Sequence, residues 1–182
     1  MESTIPHNIL VTPNRLLEPI DIDIIFRGAG SWWLNYALLL FTGIKVVDIA
    51  MLGYWNVDFE RGVLRRPESK SGRFSEWNLP RQVVAKIPRN RPPSEPLFPT
   101  LYTDVEDQSL FEEEMHRNLA KPLNYLHALL SIAHRPIASL FSFTLTNRYL
   151  LKDRDQLDQD YLEMRIAIAT VLENTGAPPV LN

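Results

Sequence analysis

Apolar and polar residues alternate in two short segments of the N-terminal half of the chain. Residues 20–24 alternate isoleucine with aspartate, which is the period of a half-buried strand. Residues 54–59 alternate again, and a glycine follows at position 62. This pattern predicts a β-hairpin over residues 54–66 that turns near Arg61 and Gly62. Two further strands are predicted at residues 73–77 and 82–87.

The spacing of apolar residues changes in the C-terminal half, where it fits the seam of an amphipathic helix. Acidic residues at Asp104, Glu106 and Asp107 suit the start of this helix, because the backbone dipole favours negative charge there. Pro122 lies within the seam and is expected to kink or split the helix. The seam residues are Leu119, Leu123, Leu126, Leu130 and Ala133. Two further helices are predicted, one at 137–150 and one that Asp153 or Asp155 caps and Gly176 ends.

The most apolar segment, residues 31–52, has three interpretations. In the first, a helix ends at Gly43 and residues 45–52 form a buried strand, because the latter segment is rich in β-branched residues. In the second, the segment spans a membrane between flanking aromatic pairs, although Lys45 and Asp48 oppose this. In the third, it forms one long buried helix.

These elements predict an α+β fold with three regions along the chain. Residues 1–87 form a unit of strand, helix, strand and hairpin, and residues 104–182 form a helical region. Between them, residues 88–103 form a proline-rich connector, since six of the 14 prolines lie from Pro80 to Pro99. Proline lacks the backbone donor that helices and central strands need, so an extended connector is expected. The whole is expected to be one compact domain.

Composition narrows the class of protein only slightly. The chain has 182 residues with 45% hydrophobic and 23% charged residues, which is typical of a single globular domain. It contains no cysteine, so disulfides, thiolate metal sites and a cysteine nucleophile are excluded. A secretory leader is not recognised, and a cytoplasmic, reducing location is expected. Membrane association through residues 31–52 is the alternative.

Charge is unevenly distributed behind the net value of −3. Residues 61–91 contain nine basic and two acidic residues, whereas residues 104–114 contain six acidic residues and no basic one. The basic segment predicts a surface for nucleic acid or anionic lipid. It also predicts docking on the acidic segment, within one molecule or between copies. The predicted basic surface comprises Arg61, Arg65, Arg66, Lys70, Arg73, Arg89 and Arg91.

The sequence RGAGS at residues 27–31 places two glycines before an apolar segment. Glycines at a helix start let the backbone approach phosphates. A dinucleotide-binding fingerprint needs a third glycine where Trp33 stands, so a tight turn is predicted instead.

The same region resembles the polymerase-β-type nucleotidyltransferases. That family places Gly-Ser at a helix start and paired Mg²⁺-binding carboxylates on the following strand. Gly30, Ser31, Asp48 and Asp58 stand where those groups are expected, but Ala50 occupies the second carboxylate position. Since one carboxylate does not bridge two ions, the resemblance implies a degenerate nucleotidyltransferase-like domain.

Histidines provide a second motif that points to metal chemistry. Glu113 and His116 have the Glu-x-x-His spacing of di-iron bundles, but such a site needs two copies of the motif. On a continuous helix, His116, His127 and His134 lie roughly 16 and 10 Å apart, too far for one ion. We therefore predict no metal, no cofactor and no catalytic residues.

The sequence thus favours a non-enzymatic structural or protein-interaction subunit, or adaptor, of a larger assembly. Partners are expected to be other protein subunits or further copies of the chain, and no small-molecule ligand is predicted. The extended connector, the opposite charge blocks and the four tryptophans are suited to an interface. The predicted interface residues are Trp55, Trp77, Pro92, Pro93 and Phe98.

Overall fold

The computed structural model describes residues 17–67 and 74–137, together with residues 166, 169 and 170. Five helices and a three-stranded antiparallel sheet form within these residues, which confirms the α+β prediction. The helices are α1 (Pro19–Gly28), α2 (Trp33–Thr42), α3 (Val46–Ala50), α4 (Arg81–Lys86) and α5 (Gln108–Ile132). The strands are β1 (Val57–Asp58), β2 (Val63–Pro67) and β3 (Phe74–Asn78).

The sheet has the order β1-β2-β3, and its first two strands form the predicted hairpin. Val57 pairs with Leu64, and Val63 in turn pairs with Asn78 on β3. Gly62 has a φ of 65°, a left-handed conformation that glycine adopts without a steric penalty. The hairpin prediction is confirmed except at residues 54–56, which form a 3₁₀ turn. The strand predicted at 73–77 is also confirmed, as β3.

The strand predicted at residues 20–24 is wrong, because this segment lies inside α1. Pro19 occupies the start of the helix, where its missing N–H costs nothing. The Glu18 N–H donates to Asp21 Oδ2 at 2.7 Å and closes a capping box. Ile22 and Ile25, three residues apart, are fully buried, which is a helical rather than a strand spacing.

Residues 31–52 follow the first of their three interpretations only in part. A helix, α2, ends where predicted, and Gly43 caps it with a φ of 65°. The strand predicted at 45–52 is wrong, because Val46, Ile49 and Ala50 are buried at helical spacing in α3. The interpretation as one long helix is also wrong.

None of the helices in the described part of the chain is both long enough and apolar enough to cross a membrane.

The strand predicted at residues 82–87 is wrong as well, because α4 occupies this segment. Val83, Val84 and Ile87 are buried, and their steps of one and three residues place them on one helical face. This face packs close to the hairpin turn, and the Leu79 N–H donates to the Gly62 carbonyl at 2.9 Å.

The helix predicted in the C-terminal half is confirmed as α5, and Asp107 caps it by accepting from the backbone of Ser109 and Leu110. Pro122 does not split this helix, which continues to Ile132. The predicted helices at 137–150 and from Asp153 or Asp155 to Gly176 lie almost wholly outside the described residues. Residues 166, 169 and 170 of the latter are helical.

One hydrophobic cluster contains side chains from the N-terminal unit, from the connector and from α5. The connector contributes three buried residues, so part of it belongs to the core rather than to solvent. They are Leu97, Phe98 and Leu101.

Candidate functional site

The proline-rich connector lies against residues 52–55 of its own chain. The Leu97 N–H donates to the Leu52 carbonyl at 2.7 Å. In the other direction, the Tyr54 N–H donates to Glu95 at 3.0 Å and the Trp55 N–H donates to Pro93 at 3.0 Å. These bonds satisfy backbone groups of both segments and hold the connector beside the turn that precedes β1. The expectation of an extended connector is wrong here, because the Glu95 N–H donates to the Pro92 carbonyl at 3.0 Å and closes a turn.

Gly53 allows this close approach. A β-carbon at position 53 would lie 2.8 Å from Trp55 Cδ1 and 3.2 Å from the Glu95 carbonyl oxygen. The Trp55 indole therefore rests on the bare backbone of Gly53, and the connector passes directly behind it. Any larger residue at position 53 has to displace one of them.

The Trp55 indole remains 57% exposed although its backbone is held firmly. Pro92 and Pro93 are exposed on the adjoining part of the connector, where the Pro93 carbonyl accepts the Trp55 N–H. Val47 and Met51, one helical turn apart, are 42% and 40% exposed, and Met51 lies two residues before Gly53. The name Trp55 surface is used below for five exposed residues of α3, the turn that follows it and the connector: Val47, Met51, Trp55, Pro92 and Pro93.

Polar groups border the Trp55 surface. Arg91 and Glu95 form an exposed ion pair with Nη1 and Oε2 3.7 Å apart. Tyr54 is buried beneath them, and its loss of solvation raises the pKa of its hydroxyl, an effect that Arg91 opposes. An apolar centre with a charged border is the usual composition of a protein-binding surface.

Three of the five predicted interface residues, Trp55, Pro92 and Pro93, lie together on this surface. Trp77 lies elsewhere, paired with Leu64 across the sheet and packed partly against the core. Phe98 is buried and does not contribute to this surface, so its part in an interface stays a prediction. Val47 and Met51 were not predicted, because their exposure depends on α3 being a helix rather than a strand.

The predicted basic surface is partly neutralised within the molecule. Arg65 Nε lies 2.7 Å from Glu76 Oε1, Arg66 pairs with Asp48, and Arg91 pairs with Glu95. Arg89 lies over the Phe59 ring at 5.6 Å. Lys70 and Arg73 lie outside the described residues. Binding of nucleic acid or anionic lipid by this segment stays a prediction.

The residues that resemble a nucleotidyltransferase site are engaged in other contacts. Asp48 lies on α3 rather than on a strand, and its carboxylate pairs with Arg66. Asp58 Oδ1 accepts the Arg61 N–H at 3.0 Å in the hairpin turn. Across residues 17–67 and 74–137, no group of three or more acidic or histidine side chains is placed to hold a metal ion.

Comparisons with protein-family models, with curated proteins and with solved structures found no match for this chain. The chain is an α+β protein, and its function is inferred from the chemistry of the Trp55 surface.

Proposed function

We propose that this protein is a non-enzymatic interaction subunit that binds another protein through the Trp55 surface. The observation that carries the proposal is the indole of Trp55, which is 57% exposed on a backbone held by two hydrogen-bonded segments. A single exposed tryptophan is common on protein surfaces and does not by itself indicate a binding site. Here, however, Gly53 and the connector hold Trp55 in a fixed position.

A tryptophan held on an exposed surface in this way is suited to supply a large part of the binding free energy. Truncation of a central interface tryptophan typically costs at least about 2 kcal/mol of affinity. The entropy lost on binding is small, because the backbone of Trp55 is already fixed and Pro92 and Pro93 restrict their own backbone. A partner that covers the indole therefore gains buried apolar area without having to order the loop.

The partner can be found with a photo-reactive residue at Met51, incorporated in cells that naturally express the chain. Cross-links from Met51, compared with those from the distant exposed position Ile132, identify the protein that covers the Trp55 surface. The complex is then rebuilt from the purified chain and purified partner, and its affinity is measured by calorimetry.

Trp55→Ser should weaken this complex at least about tenfold, because it removes the central apolar contact. Gly53→Ala should weaken it as well while the chain stays folded, because the added β-carbon displaces the indole. Ile132→Ser is the matched control, since Ile132 is 79% exposed and lies at the far end of α5. Equal affinity of all four proteins, or no partner cross-linked at Met51, would contradict the proposal.

A further inference from the structure

Three arginines surround the hairpin turn at Gly62. Arg61 precedes this glycine, and Arg81 begins α4 two residues after Leu79, whose N–H donates to the Gly62 carbonyl. Arg89 reaches the same turn from the other end of α4, with its guanidinium over the Phe59 ring at 5.6 Å. We call Arg61, Arg81 and Arg89 the turn arginines.

The turn arginines differ from the other basic residues of the segment in their partners. In the described part of the chain, none of the three forms an ion pair, whereas Arg65, Arg66 and Arg91 all do. Two acidic residues lie in the same turn, Asp58 and Glu60, and the Asp58 carboxylate accepts the backbone N–H of Arg61. The turn therefore carries three positive and two negative charges and keeps an excess of positive charge.

A depression of about 350 Å³ opens beside Arg81. Its apolar walls come from Phe41, Leu79, Pro80 and from Ala169 of the C-terminal segment, whereas Asn78, Arg81 and Gln82 supply polar ones. This combination suits an apolar side chain that is flanked by acidic residues.

The start of α5 has this composition. Leu110 is 55% exposed there, and the nearby carboxylates of Asp104 and Glu106 have no cationic partner among the described residues. Other acidic side chains in the segment are engaged locally, since Glu113 pairs with Arg117 and Glu114 accepts from Thr103. No ion pair within the described residues joins this segment to the turn arginines.

We infer that the turn arginines bind the acidic start of α5 of a second copy of this chain, with Leu110 seated in the depression beside Arg81. Charge complementarity selects the occupant, because each copy carries one basic and one acidic surface whose charges form no ion pair with each other or with any other of the described residues. A reciprocal exchange of these contacts buries both pairs of surfaces and closes a twofold dimer. The contact is separate from the Trp55 surface and does not rest on the proposed function.

Sedimentation velocity of the full chain at two salt concentrations tests this inference. We expect a dimer at roughly 0.01 M salt and a monomer at roughly 1 M salt, since the Debye length falls from about 30 Å to about 3 Å. A monomer at both concentrations would overturn the inference, and so would a dimer that salt does not weaken.

Charge reversal then locates the contact. The variants Arg61→Glu/Arg89→Glu and Asp104→Lys/Glu106→Lys should each raise the dimer dissociation constant at least about tenfold, because like charges then face one another. An equimolar mixture of the two variants should recover a heterodimer, which a misfolded variant would not form. The control Lys45→Glu/Lys121→Glu makes the same change in net charge as the arginine variant, at exposed lysines elsewhere, and should dimerise normally.

The Trp55→Ser variant separates this inference from the proposed function. It should dimerise like the unmodified chain, because the indole is not part of this contact. Loss of the dimer in Trp55→Ser, or failure of the mixed charge-reversed variants to associate, would overturn the assignment of the dimer contact to the turn arginines.

Discussion

Among single residues, Tyr36 shows how a buried polar atom is used to join two helices. Its ring is fully buried in α2, and its hydroxyl donates to the Pro122 carbonyl in α5 at 2.6 Å. Burial raises the pKa of this hydroxyl above its ordinary value, which favours the neutral form that donates the hydrogen bond. The bond is made at Pro122, the residue of α5 that has no backbone N–H to donate.

Tyr36→Phe should lower the free energy of unfolding by about 1–2 kcal/mol, because it removes a buried hydrogen bond without changing the packing of the ring. Urea unfolding followed by circular dichroism measures the change. Tyr54→Phe is the matched control: Tyr54 is also buried, but its hydroxyl makes no hydrogen bond within the described residues, so a change below about 0.5 kcal/mol is expected. Equal effects of the two variants would show that the Tyr36 bond contributes little.

His134, just after α5, has a φ of 57°, a left-handed conformation that is unfavourable for a residue with a β-carbon. The chain turns there in a Schellman motif, in which the His134 N–H donates to Ser131 at 3.0 Å and the Arg135 N–H donates to Leu130 at 2.8 Å. Glycine is the residue that this position favours.

His134→Gly should therefore raise the free energy of unfolding by about 0.5–1 kcal/mol, since it relieves the left-handed strain at a position whose hydrogen bonds involve only the backbone. His134→Ala keeps a β-carbon and should bring no such gain. Thermal unfolding of the three proteins decides the question, and a glycine variant no more stable than the alanine variant would contradict it.

At the scale of elements, the sequence predicted an element correctly in two situations. Either the helical spacing of apolar residues continued over many residues, or a glycine marked the turn of a hairpin. The long seam of α5 and the hairpin at Gly62 were both predictable in this way. The pattern at 20–24 misled because five residues are too few to separate the two periods. What determines α1 is Pro19 at its start and an ion pair with Arg135, a residue far away in the chain.

The β-branched segments at 45–52 and 82–87 failed for a related reason. Propensity favours strands there, but among the described residues neither segment pairs with a strand, and the sheet consists of β1, β2 and β3. Packing against α2 decides the outcome, since both α3 and α4 contact that helix. Tertiary contacts of this kind cannot be read from a local window.

The carboxyl of Asp107 makes the stability of the start of α5 depend on pH. A hydrogen bond from the Ser109 hydroxyl, followed by those from the Leu110 and Ser109 amides, holds the pKa of this carboxyl below its ordinary value. A carboxyl with a lowered pKa contributes stability above its unfolded-state pKa of about 3.9, and this contribution is lost as the pH falls through the folded-state value.

The comparison with Asp107→Asn isolates this contribution, because asparagine still caps the helix but carries no charge. We expect the unmodified chain to have the higher melting temperature near pH 6 and this advantage to disappear near about pH 2. The melting temperatures of both proteins are measured across this range. An advantage that is the same at every pH would show that charge at the cap has no part in it.

On the scale of the whole molecule, three of the five residues of the Trp55 surface were predictable. Exposed aromatic and proline residues drew attention to Trp55, Pro92 and Pro93. The sequence could not show that the connector would fold back on its own chain, because the bonds between residues 52–55 and 93–97 join segments that carry no complementary side-chain pattern. Backbone hydrogen bonds of this kind leave no trace in composition or periodicity, apart from the glycine at Gly53 that makes room for them.

One side chain joins the start of α1 to the segment after α5. Arg135 pairs with Glu18 and with Asp21, 114 residues away in sequence, and the Asp21 side chain is fully buried. Both carboxylates raise the pKa of Arg135, so the guanidinium stays charged. A buried carboxylate depends on such a partner, because taking an unbalanced charge out of water is costly.

Arg135→Gln should therefore lower the free energy of unfolding severalfold more than Arg117→Gln does. The latter removes an exposed ion pair within one helix and should change the free energy of unfolding by less than about 0.5 kcal/mol. Adding Asp21→Asn to Arg135→Gln should recover part of the loss, since no buried charge then remains. Equal changes in the free energy of unfolding for the two single variants, measured by urea unfolding, would contradict this expectation. They would show that apolar packing, and not the Arg135 ion pair, holds α1 against α5.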